Sequence, residues 1–220
     1  IFEVNPDHPL IKRLHGVEDD DLFAKWTVVL FEQSVLADKL SGLAPGDIVD
    51  FQDRLIMPGL IDMHLHLPQV TQTAKSGEHL LSWLNRYIFP AEARFSDKEY
   101  ARKIANWFFR ELVKNGTTLS VVFTTIHKEA CHAAFEVAHE VGARVIMGKV
   151  MMDSNSPAAL TEDTATSIKE SEDLAALWQG ANQGLLNYAF TPRFGVTSSR
   201  ELLAGTGQAW KRNPGTYLHT

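Results

Sequence analysis

Apolar positions along this chain follow two rhythms. Short runs rich in β-forming residues alternate with longer stretches in which apolar residues recur every three or four positions. The runs predict strands over Thr117–Phe123, Ala143–Val150 and Leu185–Phe194, with a last one starting at Thr216. Helices are predicted between them, near 128–141, 162–179 and 198–211. Upstream, Met57–Gln69 reads as a short buried strand ending in polar residues, bracketed by Gly59 and Pro68. Five strongly apolar strands alternating with helices are the pattern of a parallel sheet covered by helices. A closed barrel and a doubly wound open sheet both satisfy it. No Gly-x-Gly-x-x-Gly or Gly-x-x-x-x-Gly-Lys string follows any strand, which weakens the nucleotide-binding option. The expected fold is therefore α/β, the first half of a (β/α)8 TIM-type barrel over residues 58–220.

Between the first two strands, Leu80–Phe89 has helical spacing and is expected to close at Pro90. A longer helix is expected from Ser96, as N-cap, to about Asn115, where Gly116 can take a left-handed conformation. Its buried stripe is predicted to hold Tyr100, Ile104, Trp107, Phe108 and Leu112. Residues 1–57 carry short apolar pieces, Trp26–Phe31 and Asp47–Phe51, around a helical insert near Ser34–Leu40. They suggest part of a small β-rich N-terminal domain. The acidic run Glu18–Asp21 is read as a solvated loop rather than a cation site.

The chain has 220 residues, 45% hydrophobic and 22% charged, enough for a real core. A formal net charge of −6 and no basic stripe argue against nucleic acid or a membrane surface as partner. The single cysteine, Cys131, rules out an internal disulfide framework and fits a reducing compartment, hence a cytoplasmic location. No apolar run is long enough to span a bilayer. The chain opens on Ile1 and its last strand looks stopped part-way, so a fragment of a longer protein is expected.

The chemistry concentrates in Pro58-Gly59-Leu60-Ile61-Asp62-Met63-His64-Leu65-His66. On a strand, Asp62, His64 and His66 share one face, and two imidazoles on one face can share a metal ion. A lone strand histidine is more often packing or solvent-facing, and the spacing alone leaves both readings open. His64, His66, Arg193 and Phe194 all fall at strand C-terminal ends, where a parallel barrel carries its active site.

The whole string resembles the first barrel strand of the amidohydrolase superfamily. The resemblance sharpens toward its guanine deaminase family through Tyr87–Phe95 with its Phe-Pro-Ala-Glu block, Lys114–Thr118, Thr125–His127, Gly148–Asp153 and Thr191–Phe194. It implies zinc-dependent conversion of guanine to xanthine and ammonia by the full-length protein, with one zinc ion per subunit and a homodimer. His64 and His66 match the first two metal ligands, Gln69 the glutamine that contacts the purine, and Arg193 and Phe194 the arginine–phenylalanine pair of the guanine pocket. The family's catalytic glutamate and aspartate are expected beyond Thr220, as is the fifth-strand histidine, in preference to His219. By the same resemblance Lys149 lies one strand early for the carboxylated lysine of two-metal members.

Other readings set the limits. Zinc deaminases of the cytidine type need Pro-Cys-x-x-Cys, which one cysteine cannot supply. Asp62 is expected to orient a ligand imidazole, and His127 to structure a loop. His8, His15, His79, His132 and His139 are taken as incidental. The rivals are an amidohydrolase acting on another heterocycle, such as adenine, cytosine or a triazine, and a truncated chain without activity of its own.

Overall fold

The structure, a computed structural model, describes residues 12, 16–29, 55–76 and 79–220. The chain divides between Met57 and Pro58 into two compact units. In the first, residues 20–29 are helical, so Trp26–Val29 do not form the expected strand. The cause lies in the acidic run: the Asp19 carboxylate caps the helix by accepting the Leu22 N–H at 3.0 Å, and Asp21 pairs with Lys25 one turn on. The expected elements at Ser34–Leu40 and Asp47–Phe51 lie outside the described residues.

The second unit carries one parallel sheet. Its strands are β1 (Leu60–His66), β2 (Thr117–Phe123), β3 (Arg144–Gly148), β4 (Val150–Met151), β5 (Leu186–Pro192) and β6 (Tyr217–Leu218). β1 pairs with β2, β2 with β3, both β3 and β4 with β5, and β5 with β6. β3 and β4 are thus one strand interrupted at Lys149. Order in space follows order in sequence, without the reversal that defines a doubly wound sheet. A parallel sheet wound in one direction is the wall of a barrel. Gly148 sits at the seam with β5, where a Cβ would lie 1.7 Å from the Ala189 carbonyl oxygen, so only glycine permits the pairing.

The helices are α1 (Leu80–Trp83), α2 (Phe89–Ala93), α3 (Lys98–Lys114), α4 (Lys128–Val141), α5 (Thr164–Trp178) and α6 (Arg200–Arg212). The main core joins strand residues Val122, Val145, Met147, Tyr188 and Phe190 to helix residues Phe108, Phe109, Phe135, Leu174 and Leu202. A smaller cluster of Phe123, Ile126, Val150, Met152 and Leu160, with Phe89 against it, gathers residues at and just beyond the strand C-terminal ends.

Three local expectations shift. The N-cap of α3 is Asp97, which accepts the Glu99 and Tyr100 N–H groups, because Arg94–Ser96 winds as a 3-10 turn first. Its buried face holds Ala101, Ile104, Ala105, Phe108 and Phe109, while Trp107 is exposed. β1 is an edge strand, with Leu60, Ile61 and Met63 exposed rather than buried. The third shift matters most: Pro90 does not end its helix. Leu84–Ile88 widens into a π-turn whose Phe89 N–H reaches back to the Leu84 carbonyl. A widened turn relieves the clash of a proline ring with the preceding carbonyl, so the chain continues helically through Pro90. That continuation carries Ala91 and Glu92 into the interior.

Candidate active site

The end of β1 is shaped by Asp62, whose carboxylate accepts the backbone N–H of His64 at 3.1 Å. The β1–β2 register shifts between Asp62 and Leu65, so this bond satisfies a donor at an irregularity in the ladder. Asp62 therefore holds the backbone of His64 and not its ring. The His64 and His66 Nε2 atoms stand 3.1 Å apart. A zinc ion about 2.05 Å from each would see them at about 98°, between octahedral and tetrahedral angles. The pair thus fits two sites of one metal ion, and in a mixed tautomer state the same spacing is a hydrogen bond. Phe123 stacks on the His66 ring at 4.5 Å and tilts against His64 at 5.1 Å. Burial, then the positive charge of Arg193 and the neighbouring His64 and His219, bring the pKa of His66 down to about 3. It is held neutral, as a ligand imidazole must be.

His219 follows β6 and donates its backbone N–H to the Phe190 carbonyl at 3.0 Å. Its ring lies 3.9 Å from Phe123 and 5.8 Å from His64, both nitrogens buried without a partner among the described residues. Burial and His64 lower its pKa to about 4. Among the described residues, no group of three or more His, Cys, Asp or Glu side chains is arranged to hold a metal ion. His219 stands near the pair without completing a ligand set.

Beside the histidines lies a buried polar network. Gln69, in the 3-10 turn Leu67–Gln72 that follows β1, donates from Nε2 to Glu92 Oε1 at 3.3 Å. Arg193, one residue past β5, donates from Nη1 to Glu92 Oε2. Both members of this ion pair are buried. The guanidinium stands 5.6 Å over the Phe89 ring, and the Arg193 N–H reaches the Met151 carbonyl at 3.3 Å. Phe194 starts a turn closed by the Thr197 N–H, and 38% of it is exposed. No ring contact joins Phe194 to the network among the described residues. The turn is held from the neighbouring loop by the Asp153 and Ser154 N–H groups on the Thr197 carbonyl, while the Asp153 carboxylate accepts the Ser199 N–H at 2.6 Å and the Ser199 and Thr164 hydroxyls at 2.5 and 2.7 Å. Burial raises the Asp153 pKa, but these bonds outweigh it and hold the carboxyl below its usual range.

Residues 55–220 match the amidohydrolase family. The chain belongs to that family. It is 42% identical to the guanine deaminase of Escherichia coli (strain K12) over 171 residues, 78% of this chain and 38% of that protein. It is 32% identical to the guanine deaminase of Rattus norvegicus over 216 residues, 96% of this chain and 45% of that one. Among solved structures it resembles the guanine deaminase from C. acetobutylicum with bound guanine in the active site. That likeness has a TM-score of 0.74 at 34% identity, over 80% of this chain and 41% of that one. The chain spans less than half the length of these relatives.

Within this amidohydrolase chain, Glu92 is the site residue that sequence reading passed over. It closes the Phe-Pro-Ala-Glu block, and its partners are distant in sequence. The available signal is a carboxylate in the otherwise apolar stretch Ile88–Ala93. Lys149 has its side-chain partners on Glu162, Glu170 and Ser167. Its ammonium is buried against Glu162, with Ser167 Oγ at 3.3 Å, and burial raises the Glu162 pKa despite the pairing. His127 precedes α4 and donates its N–H to Thr125 Oγ1 at 3.0 Å, while its Nε2 is buried without a partner among the described residues.

Proposed function

We propose that the protein containing this chain hydrolyses guanine at C2, adding water and releasing xanthine and ammonia. The observation that carries the reading is the juxtaposition of a neutral imidazole pair at ligand spacing with a buried arginine anchored by Glu92. His64 and His66 are two ligands of a single zinc ion. Bound there, zinc supplies the Lewis acidity that makes water a competent nucleophile near neutral pH. Arg193 donates toward the O6 and N7 acceptors of guanine, while adenine presents an amine at the O6 position and leaves donor facing donor. That mismatch costs about 1–3 kcal/mol. Gln69 makes a second polar contact with the purine, and Phe194 stacks on its face. Remaining ligands and the groups that move protons belong to segments beyond the described site. The enzyme acts as a cytoplasmic homodimer; for the chain itself, no described helix is long and apolar enough to cross a membrane.

The reading is tested by assaying the full-length protein on guanine, with adenine, cytosine and chlorinated triazines as controls. Turnover confined to guanine is expected, and intact guanine sinks the reading. Arg193→Ala should lower kcat/KM for guanine at least a hundredfold, as expected for losing a charged, desolvated contact. An enzyme of other specificity would lose activity only through the folding energy of the buried pair, which thermal unfolding of the same variant measures separately.

A further inference from the structure

An ionised carboxylate only accepts, and Glu92 accepts from two residues at once. Its Oε1 takes the Gln69 Nε2–H, and its Oε2 takes the Arg193 Nη1–H. This fixes what each partner can offer a ligand. The Gln69 amide group is turned toward Glu92, leaving its Oε1 as an acceptor with no donor among the described residues. Arg193 has five N–H groups, and its Nε–H and both Nη2–H stay uncommitted among the described residues. We propose that Glu92 is a positioning residue that sets the polarity of the purine pocket, making Gln69 an acceptor and Arg193 a fork of donors.

The inference rests on the guanine reading and deepens it. Guanine carries O6 and N7 as acceptors and an N1–H beside O6, which matches a donor fork flanked by one acceptor. Adenine inverts both positions, with an amine in place of O6 and a bare N1. A free glutamine amide could rotate to suit either base; one held by Glu92 cannot without losing its bond to the carboxylate. The anchoring is rigid on both sides. Glu92 lies on α2 just past the π-turn, and Arg193 is fixed at the backbone by Met151.

The test uses the full-length zinc-loaded protein with guanine and with 2-aminopurine, which keeps the C2 amine but lacks O6 and the N1–H. Glu92→Gln puts an amide group where one of its two donors must bind, so it scrambles the pocket at almost constant shape. The expected result is a KM for guanine raised about tenfold, kcat changed less than threefold, and the preference for guanine over 2-aminopurine narrowed about tenfold. A purely structural Glu92 would lower activity on both substrates in parallel, and an unchanged preference overturns the proposal. Should Glu92→Gln fail to fold, Gln69→Leu removes the acceptor and leaves the ion pair intact. It should also narrow the preference, and an unchanged ratio there is equally fatal. A wild-type protein that leaves guanine intact overturns the guanine reading and this inference with it. Wild-type turnover of guanine with an unchanged preference in the variants overturns the inference alone.

Discussion

Gln69 follows His66 by three residues, yet the two belong to regions built on different principles. The histidine pair sits at the end of an edge strand, with His64 exposed and His219 nearby holding two unpartnered nitrogens. Nothing among the described residues uses those donors. The Gln69–Glu92–Arg193 network is internally matched, each carboxylate oxygen receiving one donor and the ion pair buried. Under the guanine reading, ring recognition would be organised within this chain, whereas the histidine end would offer a partial ligand set. The contrast sets an order of sensitivity: the matched network should carry large folding energies, and the open histidines small ones.

The largest effect is expected from breaking the buried pair on one side. Arg193→Met leaves the buried Glu92 with only the Gln69 amide as partner and should cost about 3–5 kcal/mol. Combining it with Glu92→Met should recover most of that loss, since two apolar residues of similar size can replace a buried pair without penalty. Thermal unfolding of the two variants decides the matter. A single variant within 1 kcal/mol of wild type would mean that water reaches the pair, and the contrast with the histidines would fail.

Lys149→Met comes next, at about 2–3 kcal/mol, because Glu162 keeps some access to solvent and can relax. Its zinc content should not change, because the ammonium is committed to Glu162 and Ser167. A loss of zinc in that variant would place Lys149 in the metal site after all. Asp153→Ala should cost less, about 1–2 kcal/mol, by freeing the Ser199 N–H and the hydroxyls of Ser199 and Thr164. Its distinguishing mark is a raised KM for guanine, since the anchor on Ser199, just after the turn carrying Phe194, is lost. An unchanged KM would show that the turn does not need Asp153.

How much of this was legible in the sequence depends on the range of each interaction. β2 and α4 lie where the pattern put them, because a run of β-formers after Gly116 and a helical apolar repeat closed by Gly142 are local signals. The histidine pair was legible for the same reason, its spacing of two residues being a property of one strand. Pro90 misled because a π-turn spreads its correction over Leu84–Ile88, and no single residue announces it. Glu92 was invisible because its meaning comes from Arg193, 101 residues away. The alternation of elements left barrel and open sheet undecided, and only the pairing order of the strands separates them. The helix over 20–29 shows the converse error. There, capping by Asp19 outweighed the β-propensity of Trp26–Val29.

The smallest folding effect is expected from His66→Ala, and it should be the most informative about chemistry. At pH 7 His66 is neutral in the folded state and mostly neutral in the unfolded one, so removing it from the end of β1 should cost about 1 kcal/mol or less. Zinc retained after dialysis should nevertheless fall sharply, since one of the two proposed ligands is gone. The pH dependence then separates the imidazole from its packing. In zinc-free wild type the folded pKa is about 3 and the unfolded value is 6.5. Between those values the unfolded chain binds the proton and the folded one does not, so stability falls as pH drops from about 6.5 toward 3. The slope fades over about one pH unit above 6.5, where the unfolded imidazole also loses its proton. His66→Ala should flatten that fall, leaving the part due to His219, whose folded pKa is about 4. Unfolding midpoints at pH 7 and pH 4.5 measure the difference. Equal losses at both values would mean that His66 is already hydrated in the zinc-free fold, and the strand edge would then be as open around His66 as it is around His64.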